Sequence, residues 1–366
     1  MENIGQMTAS AVGLLKRMIA IPSLSFQEEE RSAFLFSEML QRAELANATA
    51  QYGKIVVERL YNNIILYKDS FCSTKPVLML NSHIDTVPPA AAYTFDAFSP
   101  FEKDGAVYGL GTNDDGASVV SQIETFFHLA QDNTLAVNLM LVLSAEEERS
   151  GNTGIIKVVE EFHLQPDFAI IGEPTGMEAA VAERGLLVLD GTATGVSGHA
   201  ARNEGVNALY IALDDINTLR NYKFEKKSPL MGDVKLTVTQ MNCGTAHNVV
   251  PAEATFVVDI RPTEQYSNPE ILELLQSQVK SQLKARNLKN RSSATPQEHV
   301  LMQTVEELGI VKQISATTSD WMKIPYPAIK MGPGQSARSH KADEFIKIEE
   351  IKGAIEGYIN FIKHIK

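Results

Sequence analysis

Four short segments of the chain have apolar residues at both odd and even positions. Between them lie segments in which apolar residues recur at the spacing of an α-helix. Strands that helices cover on both faces carry such continuous apolar runs, because neither face meets water. The apolar runs are 76–85, 138–148, 168–174 and 327–334. Apolar residues recur at helical spacing in 8–20, 27–45, 117–131 and 154–164. This alternation predicts an α/β fold with a mostly parallel sheet covered by helices.

The middle of the chain follows a different pattern. Three segments, GLLVLDGTATG, DVKLTVTQMNCG and EATFVVDIRPT, alternate apolar and polar residues, as half-exposed antiparallel strands do. Helical spacing occurs at 207–220 and 269–286. This order is typical of a small split βαβ, ferredoxin-like domain. We therefore predict an α+β domain at 182–292, inserted into a first domain that 1–181 and 293–366 form together.

Composition narrows the functional classes. The chain carries a formal net charge of -12, which repels phosphate backbones and argues against a nucleic-acid partner. Cys72 and Cys243 are too few for a disulfide framework and fit a reducing cytoplasm. No apolar stretch approaches the ~18 residues of a membrane span, and the N-terminal segment has the pattern of an amphipathic helix rather than of a signal peptide. We expect a cytoplasmic protein that contacts neither membranes nor nucleic acids.

Titratable side chains cluster where the apolar runs end. They are His83 and Asp85 after the first run, Glu146, Glu147 and Glu148 in the second, Glu173 in the third, Asp114 and Asp115 before a predicted helix, and His340 after the fourth. In open α/β sheets, ligands bind at the carboxyl ends of the strands, so we expect these side chains to converge. Crowded carboxylates repel one another unless a cation neutralises them. A mixed set of histidine and carboxylate ligands suits zinc, with manganese or cobalt as alternatives.

Each of these signals has a plainer interpretation when it is taken alone. A His-x-Asp pair arises by chance, and a run of glutamates usually begins a solvated helix. Asp114 and Asp115 could simply cap the helix that follows them. The glycine-rich segment 109–116 superficially resembles a nucleotide loop, but the third glycine of that fingerprint would fall at Asp114. The metal hypothesis is favoured because all the plainer interpretations would have to hold at once.

Eight motifs, in order along the chain, carry a resemblance to a known family. They are SHIDTVP, GLGTNDDG, SAEEERSGNTG, IIGEPTG, SGHAARNEGVNAL, HNVVPAEA, DIRPT and GPGQSARSH. Their order and context resemble the two-zinc amidohydrolases that include acetylornithine deacetylase, succinyl-diaminopimelate desuccinylase, aminoacylase and glutamate carboxypeptidases. The resemblance covers nearly the whole chain and implies a zinc-peptidase-like fold. It is much less specific for the substrate.

The resemblance assigns metal ligands motif by motif. The implied ligands are His83 and Glu173 for one metal, Glu148 and His340 for the other, and Asp114 as the bridging carboxylate. Asp85 would be the partner of the His83 ring, fixing the tautomer of the imidazole and raising its basicity. The implied cofactors are two Zn2+ ions, for which Co2+ or Mn2+ could substitute.

The resemblance also implies roles in catalysis and substrate binding. Glu147 resembles the general base, although the additional acid at Glu146 leaves a one-residue shift of register open. His199 resembles the histidine that the inserted domain contributes to the neighbouring active site of a homodimer, where it stabilises the oxyanion; action within its own chain stays open. Asn248 and Arg261 match substrate-binding positions, and a guanidinium suits a carboxylate. Arg261 could equally be a surface charge at a strand edge.

Three positions bear on how far the family's pattern applies. Lysine usually stands two residues after the bridging aspartate, where this chain has Gly116. Small apolar alanine usually precedes the last histidine, where this chain has Ser339. Neither change removes a ligand. Trp321 is bulky for a position that we expect near the substrate pocket, and we expect it to narrow that pocket.

We predict a zinc-dependent hydrolase that removes an acyl group from the α-nitrogen of a small-molecule N-acyl amino acid. The short N-terminal segment, the length and the GEPTG context look most like acetylornithine deacetylase and its acyl-citrulline relatives in arginine biosynthesis. A succinyl-diaminopimelate desuccinylase or a metal-dependent dipeptidase or carboxypeptidase is the alternative within the family.

Two other classes of protein are alternatives to this prediction. A non-catalytic metal- or peptide-binding protein would be signalled by loss of a ligand or of Glu147, and none is missing. A nicotinamide oxidoreductase needs an unbroken glycine fingerprint after the first strand, which is absent from the sequence.

Overall fold

The computed structural model describes residues 4–50, 53–202 and 204–366. The α-helices, numbered in chain order, are α1 (Ile4–Ile19), α2 (Glu29–Asn47), α3 (Ala117–Leu129), α4 (Ile155–Glu161), α5 (Ala208–Asn221), α6 (Asn268–Gln276), α7 (Val300–Glu307) and α8 (Ile348–His364). The strands are β1 (Ile55–Leu60), β2 (Asn63–Lys68), β3 (Val77–His83), β4 (Phe101–Lys103), β5 (Ala106–Tyr108), β6 (Asn138–Ser144), β7 (Phe168–Ile171), β8 (Ala179–Glu183), β9 (Leu187–Thr194), β10 (Gly198–His199), β11 (Lys235–Cys243), β12 (Val249–Val250), β13 (Glu253–Arg261), β14 (Gln282–Ala285), β15 (Ser293–Ala294), β16 (Lys312–Ser315), β17 (Ala328–Lys330) and β18 (Phe345–Lys347). None of these helices is long and apolar enough to cross a membrane.

The chain divides into two compact units. Unit 1 contains the residues up to Val181 together with Thr295–Gln313 and Ser319–Lys366. Unit 2 contains Ala182–Ala294 and Ile314–Thr318. The inserted segment predicted at 182–292 lies within unit 2, to which the later piece of chain adds residues that the sequence pattern does not reveal.

The central sheet of unit 1 is largely parallel, as the apolar runs predict. Its strands lie in the order β1-β2-β6-β3-β7-β17-β8. β3 pairs in parallel with β6 and β7, and β17 pairs in parallel with β7. β1 and β2 add antiparallel strands at one edge. Every residue of β3 and β7 is buried, which explains why these runs are apolar on both alternations.

Two separate cores cover the faces of this sheet. Leu78 and Leu80 of β3 belong to the larger core, which residues of α1, α3 and α8 complete. Val77 and Met79 belong to a smaller core with residues of α4. Trp321 lies in this smaller core and is 1% exposed. The expectation that Trp321 narrows a substrate pocket is therefore wrong, because the indole fills the hydrophobic interior, where a large ring stabilises the fold.

The parallel strands end together at one edge of the sheet. His83, the last residue of β3, pairs with Ser144, the last residue of β6. β7 and β17 end beside each other, with Ile171 opposite Lys330. The segments that follow these strands carry the predicted carboxylates and His340, and they leave the sheet side by side. This is the edge at which ligands bind in open α/β sheets.

Unit 2 contains an antiparallel sheet in the order β11-β13-β9-β14. α5 lies between β9 and β11 in sequence, and α6 lies between β13 and β14, which gives the split βαβ arrangement. Residues of β9 and β13 alternate between buried and more exposed positions. The alternation follows because one face packs against the helices in a core of its own.

The helix predicted at 269–286 is wrong in its second half. α6 ends at Gln276, and β14 follows as an edge strand paired with β9. The carboxylate of Asp215 turns the chain between them by accepting hydrogen bonds from the amides of Lys280 at 3.1 Å and Ser281 at 2.7 Å. Helical periodicity does not register such a tertiary contact, and sheet packing overrides the local propensity.

Candidate metal centre

His83 lies at the end of β3 and is 3% exposed. Its Nδ1 lies 2.9 Å from the main-chain oxygen of Asp85, which can only accept a hydrogen bond, so Nδ1 carries the proton. Nε2 faces Oδ1 of Asp114 at 3.2 Å. Burial alone would lower the pKa of His83, but hydrogen bonds to Asp114 and Asp85 raise it well above its ordinary value. The ring is thus held with Nε2, a usual metal-binding atom, toward the carboxylates.

Three segments bring further ligand atoms to this ring: the aspartate loop (109–116), the glutamate segment (146–148) and the histidine loop (332–344). One possible ligand atom each from His83, Asp114 and Glu148 lies within 4.8 Å of the others. Nε2 of His340 lies 3.0 Å from Oε1 of Glu148 and 3.8 Å from Oδ2 of Asp114. Asp114 therefore directs one carboxylate oxygen toward each histidine, as a carboxylate that bridges two metal ions must.

His340 is the exposed member of the cluster. Its backbone adopts a left-handed conformation, with φ of 59°, which is uncommon for residues other than glycine. The hydrogen bond with Glu148 raises the pKa of His340 to about 9. An uncommon backbone conformation that points a ring at a buried acid is typical of a functional site.

The carboxylate of Asp85 is fully buried and holds the glutamate segment in place. Oδ1 accepts a hydrogen bond from the amide of Glu147 at 3.0 Å, and Oδ2 accepts from the amide of Glu148 at 3.1 Å. Oδ2 also accepts from the Ser25 hydroxyl at 2.7 Å. Oδ1 lies 3.5 Å from Nδ1 of His83, farther than the main-chain oxygen. The carbonyl of Asp85 thus makes the shorter contact with the ring, and its carboxylate anchors the next loop.

Buried carboxylates crowd around the cluster. Burial, with the charges of neighbouring acids in addition, raises the pKa of Glu147, Glu173 and Asp115 well above the ordinary values. Such groups disfavour one another's ionised forms unless a cation lies among them. Imidazole nitrogens and carboxylate oxygens form a donor set that zinc binds. The residues present therefore fit a bound divalent metal ion.

Gly116 and Ser339, the two departures from the family's pattern, have local explanations. A Cβ at Gly116 would lie 2.4 Å from the main-chain oxygen of Gly111, so no side chain fits there and lysine is excluded by packing. Oγ of Ser339 lies 3.3 Å from Nδ2 of Asn113, which connects the histidine loop to the aspartate loop.

Buried acids near the cluster are missing from the sequence prediction, and Asp320 and Glu344 are two of them among the described residues. Asp320 is 1% exposed, and its Oδ2 accepts from the Ser144 hydroxyl at 2.6 Å. Glu344 is 2% exposed and accepts hydrogen bonds from amides of the aspartate loop. Neither acid ends an apolar run, so the pattern that identified the candidate ligands does not identify these two acids. No local pattern in the sequence marks either acid.

His199 and Asn248 lie on a two-stranded ribbon of unit 2. His199 pairs with Val249, and the amide of Ala200 donates to the main-chain oxygen of Asn248 at 3.1 Å. The side chains of both residues are exposed. Nδ1 of His199 accepts from the amide of Ala201 at 3.2 Å, so the neutral ring carries its proton on Nε2. This tautomer presents an N–H donor to the surroundings.

Arg261 lies at the other end of the unit 2 sheet from this ribbon. The ribbon leads into the start of β13 (Glu253–Arg261), whereas Arg261 ends it. Nine residues of strand extend over about 26 Å at ~3.3 Å per residue. Nε and Nη2 of Arg261 donate to the carboxylate of Asp259 at 2.8 and 3.1 Å. Within unit 2, the structure therefore does not bring Arg261 together with His199 or Asn248.

Comparison with known proteins places this site in a family. The model of the family described as Peptidase family M20/M25/M40 matches residues 79–364. The chain therefore belongs to this family of peptidases and related amidohydrolases, and it is a hydrolytic enzyme.

Curated relatives are similar over most of the chain. An acetylornithine deacetylase of Proteus mirabilis is 27% identical over 367 aligned positions, covering 93% of this chain and 93% of the relative. A succinyl-diaminopimelate desuccinylase of Psychromonas ingrahamii is 28% identical and covers 76% of this chain and 80% of its own length. Both are named for the removal of an acyl group from an amino acid.

Solved structures share the fold. An M20 family metallo-carboxypeptidase of Sulfolobus solfataricus matches with a TM-score of 0.72 at 17% identity, covering 96% of this chain and 98% of that one. The YXEP protein of Bacillus subtilis, described as a dinuclear metal-binding peptidase of the M20 family, matches with a TM-score of 0.71 at 16% identity and covers 98% of each chain. The mixed α/β fold with its largely parallel sheet is thus confirmed.

Proposed function

We propose that this protein removes an acyl group from the α-nitrogen of an amino acid, as an acetylornithine deacetylase or an acyl-citrulline deacylase in arginine biosynthesis. One observation supports the proposal most strongly. Histidine nitrogens and carboxylate oxygens of His83, Asp114, Glu148 and His340 lie 3.0–3.8 Å apart, next to buried acids. The names of the curated relatives support the class of substrate. Free thiols at Cys72 and Cys243 fit the reducing cytoplasm in which we place the reaction.

Two metal ions would occupy the centre, zinc by preference with cobalt or manganese as substitutes. His83 and Glu173 would hold one ion, Glu148 and His340 the other, and Asp114 would bridge them. When bound, such ions polarise an amide carbonyl and lower the pKa of a bound water to about 7.

Glu147 is the side chain best suited to move the proton. Its amide donates to the carboxylate of Asp85, and the residue is 9% exposed beside the proposed metal ligands. Burial, with the nearby acids Asp320 and Glu148, raises its pKa, which suits a group that takes a proton from water and passes it to the leaving amine. Glu146 is less suited to be the base, because its carboxylate is already engaged: Oε2 accepts a hydrogen bond from the amide of Thr153 at 2.8 Å. This contact favours the register in which Glu147 is the base.

Arg261 would recognise the α-carboxylate of the substrate. The Nε edge of its guanidinium already faces Asp259, which fixes the plane of the group. The opposite edge, formed by Nη1 and the second N–H of Nη2, has no hydrogen bond among the described residues. A carboxylate binds such an edge through two parallel hydrogen bonds.

A homodimer formed through unit 2 would complete the site with His199 and Asn248 of the neighbouring chain. The roughly 26 Å length of β13 between the ribbon and Arg261 supports this division, because one small substrate does not span it. Unit 2 also exposes Tyr210, Leu213 and Met241, which an interface would bury. The N–H at Nε2 of His199 would then stabilise the oxyanion of the transition state.

A deacylation screen tests the proposed function. Protein reconstituted with zinc or cobalt is offered acetyl and succinyl derivatives of ornithine, citrulline and diaminopimelate, together with dipeptides. The proposal expects the acetyl or succinyl derivative of ornithine or citrulline to have the highest kcat/KM. Preference for succinyl-diaminopimelate or for dipeptides would replace it with the desuccinylase or dipeptidase alternative.

A further inference from the structure

Glu344 holds the aspartate loop by three main-chain hydrogen bonds. Its Oε1 accepts from the amides of Asn113 at 2.8 Å and Asp114 at 2.9 Å, and its Oε2 accepts from the amide of Gly111 at 3.0 Å. The side chain is almost fully buried. All three donors belong to the loop that carries the proposed bridging ligand, so the carboxylate acts on the backbone of that ligand directly.

The aspartate loop needs an external acceptor because Gly111, Asn113 and Asp114 lie at the start of a short helical segment (Thr112–Gly116), where main-chain amides have no partner within the helix. Gly111 has φ of 80°, a left-handed conformation, and a Cβ there would lie 2.6 Å from Cγ2 of Thr86. Three N–H groups that converge on one point match a carboxylate, whose two oxygens only accept. Charge-assisted hydrogen bonds of this kind offset the burial of a charged group.

The same contacts connect the two loops that supply ligands. The main-chain oxygen of Glu344 accepts from the amide of Gly109 at 3.0 Å. The Asn113 side chain accepts from the amide of Gln335 at 2.9 Å, and its Nδ2 reaches the Ser339 hydroxyl at 3.3 Å, next to His340. Displacement of the aspartate loop would therefore disturb the histidine loop as well.

We propose that Glu344 is a positioning residue of the metal centre, which sets the place of Asp114 through the loop amides and thereby the affinity for metal. This inference rests on the proposed role of Asp114 as a metal ligand. Glu344 does not touch the metal in this account; it fixes the group that does. Loss of a partner that orients a ligand typically weakens metal binding by about 10–100-fold.

The test measures zinc affinity by competition with a chromophoric chelator in Glu344→Gln, whose side-chain amide places N–H groups against the loop donors. Asp343→Asn is the matched control, because Asp343 also accepts two hydrogen bonds, from the amide and hydroxyl of Thr94 at 2.8 and 2.9 Å. We expect Glu344→Gln to bind zinc about 10–100-fold more weakly and Asp343→Asn to bind as the unmodified protein does. Urea unfolding of the metal-free proteins shows whether the two changes destabilise the fold alike.

Unchanged zinc affinity in Glu344→Gln, or a loss no greater than that of Asp343→Asn, would overturn the inference. Cobalt absorption spectra add a readout of ligand geometry that general destabilisation does not change, and we expect altered bands in Glu344→Gln alone. Should Glu344→Gln not fold, Glu344→Asp keeps two acceptors on a shorter side chain, and wild-type affinity there counts against the inference. Asp114→Ala separates the hypotheses: if it retains full metal binding, the proposed metal ligand itself is wrong, whatever Glu344 does.

Discussion

The metal-centre loops of unit 1 and the His199 ribbon of unit 2 differ in how firmly their side chains are held. Asp85 accepts three hydrogen bonds and Glu344 accepts three more, all in buried surroundings. His199 and Asn248 are exposed, and the His199 ring makes one hydrogen bond, to the amide of Ala201, among the described contacts. Buried polar networks that are fully paired rigidify a site, whereas exposed side chains keep rotamer freedom.

This difference indicates which part of the proposed function each region can supply. The proposed metal ligands of unit 1 already lie close together without a substrate. Under the proposed function, a second chain or a substrate would supply the partners of the ribbon. Changes in unit 1 should therefore alter metal binding or chemistry, and changes in unit 2 should alter turnover while metal content stays constant.

The largest expected effect separates two neighbouring acids of unit 1. Glu147→Ala should lower turnover by roughly 10²–10⁴-fold, the range for a positioned proton transfer, and should keep its metal. Glu148→Ala should lose metal as well, because Glu148 lies in the cluster of ligand atoms. Steady-state kinetics and elemental analysis of both variants check this, and an exchange of the two outcomes would show that the register is shifted by one residue.

The second prediction concerns the ribbon of unit 2. His199→Ala should lower turnover by about 10²–10³-fold, as removal of one oxyanion donor does, with metal content and unfolding unchanged. Mixing inactive His199→Ala chains with inactive Glu147→Ala chains should restore part of the activity, because one intact site forms in the mixed dimer. If subunit exchange is verified and activity stays absent, His199 acts within its own chain.

A smaller effect is expected at Arg261. Arg261→Lys should lower kcat/KM for an N-acyl amino acid by about 10–100-fold. An ammonium group cannot bind a carboxylate bidentately, and hydrogen bonds to charged groups contribute about 1.5–3 kcal/mol. The C-terminal amide of the same substrate should already be poor. Arg286→Lys is the matched control, because Arg286 makes a similar pair with Asp190 on the same sheet. Equal hydrolysis of the acid and the amide by the unmodified enzyme would end the carboxylate hypothesis.

The smallest expected effect is on stability rather than on chemistry. Gly116→Ala should lower the free energy of unfolding by about 1–3 kcal/mol, because the added methyl group meets the oxygen of Gly111 at 2.4 Å. Gly353→Ala in α8 is the control, since no atom lies within 4 Å of its added Cβ and alanine favours the helix by roughly 0.5–1 kcal/mol. Urea unfolding should give opposite signs for the two changes, and equal signs would show that the aspartate loop relaxes freely.

The sequence predicted the helices and strands that depend on residues close together in the chain. Apolar runs located β3, β6, β7 and β17, and parallel pairing then required His83 and the acids after these runs to meet at one edge. The two-sided burial that produces these runs is a property of a parallel sheet covered by helices, so the fold class followed from the pattern.

The remainder depended on contacts between distant segments, which no local pattern records. Asp215 turns the chain after α6, within the segment 269–286 for which the spacing indicated one helix, and Glu344 holds a loop more than 200 positions earlier in the chain. Trp321 was expected near the substrate pocket, yet its side chain belongs to the core. Roles that rest on a second chain, such as that of His199, stay predictions for the same reason.

Asp114 is proposed to bridge two metal ions at the edge of the unit 1 sheet. The number of metal ions bound per chain is the most direct test of this role. The protein and its Asp114→Ala variant are stripped with chelator, reconstituted with zinc, freed of unbound metal and measured by elemental analysis. We expect close to two zinc ions per chain in the unmodified protein and loss of most of the metal in Asp114→Ala. Two ions per chain retained by Asp114→Ala would contradict this role.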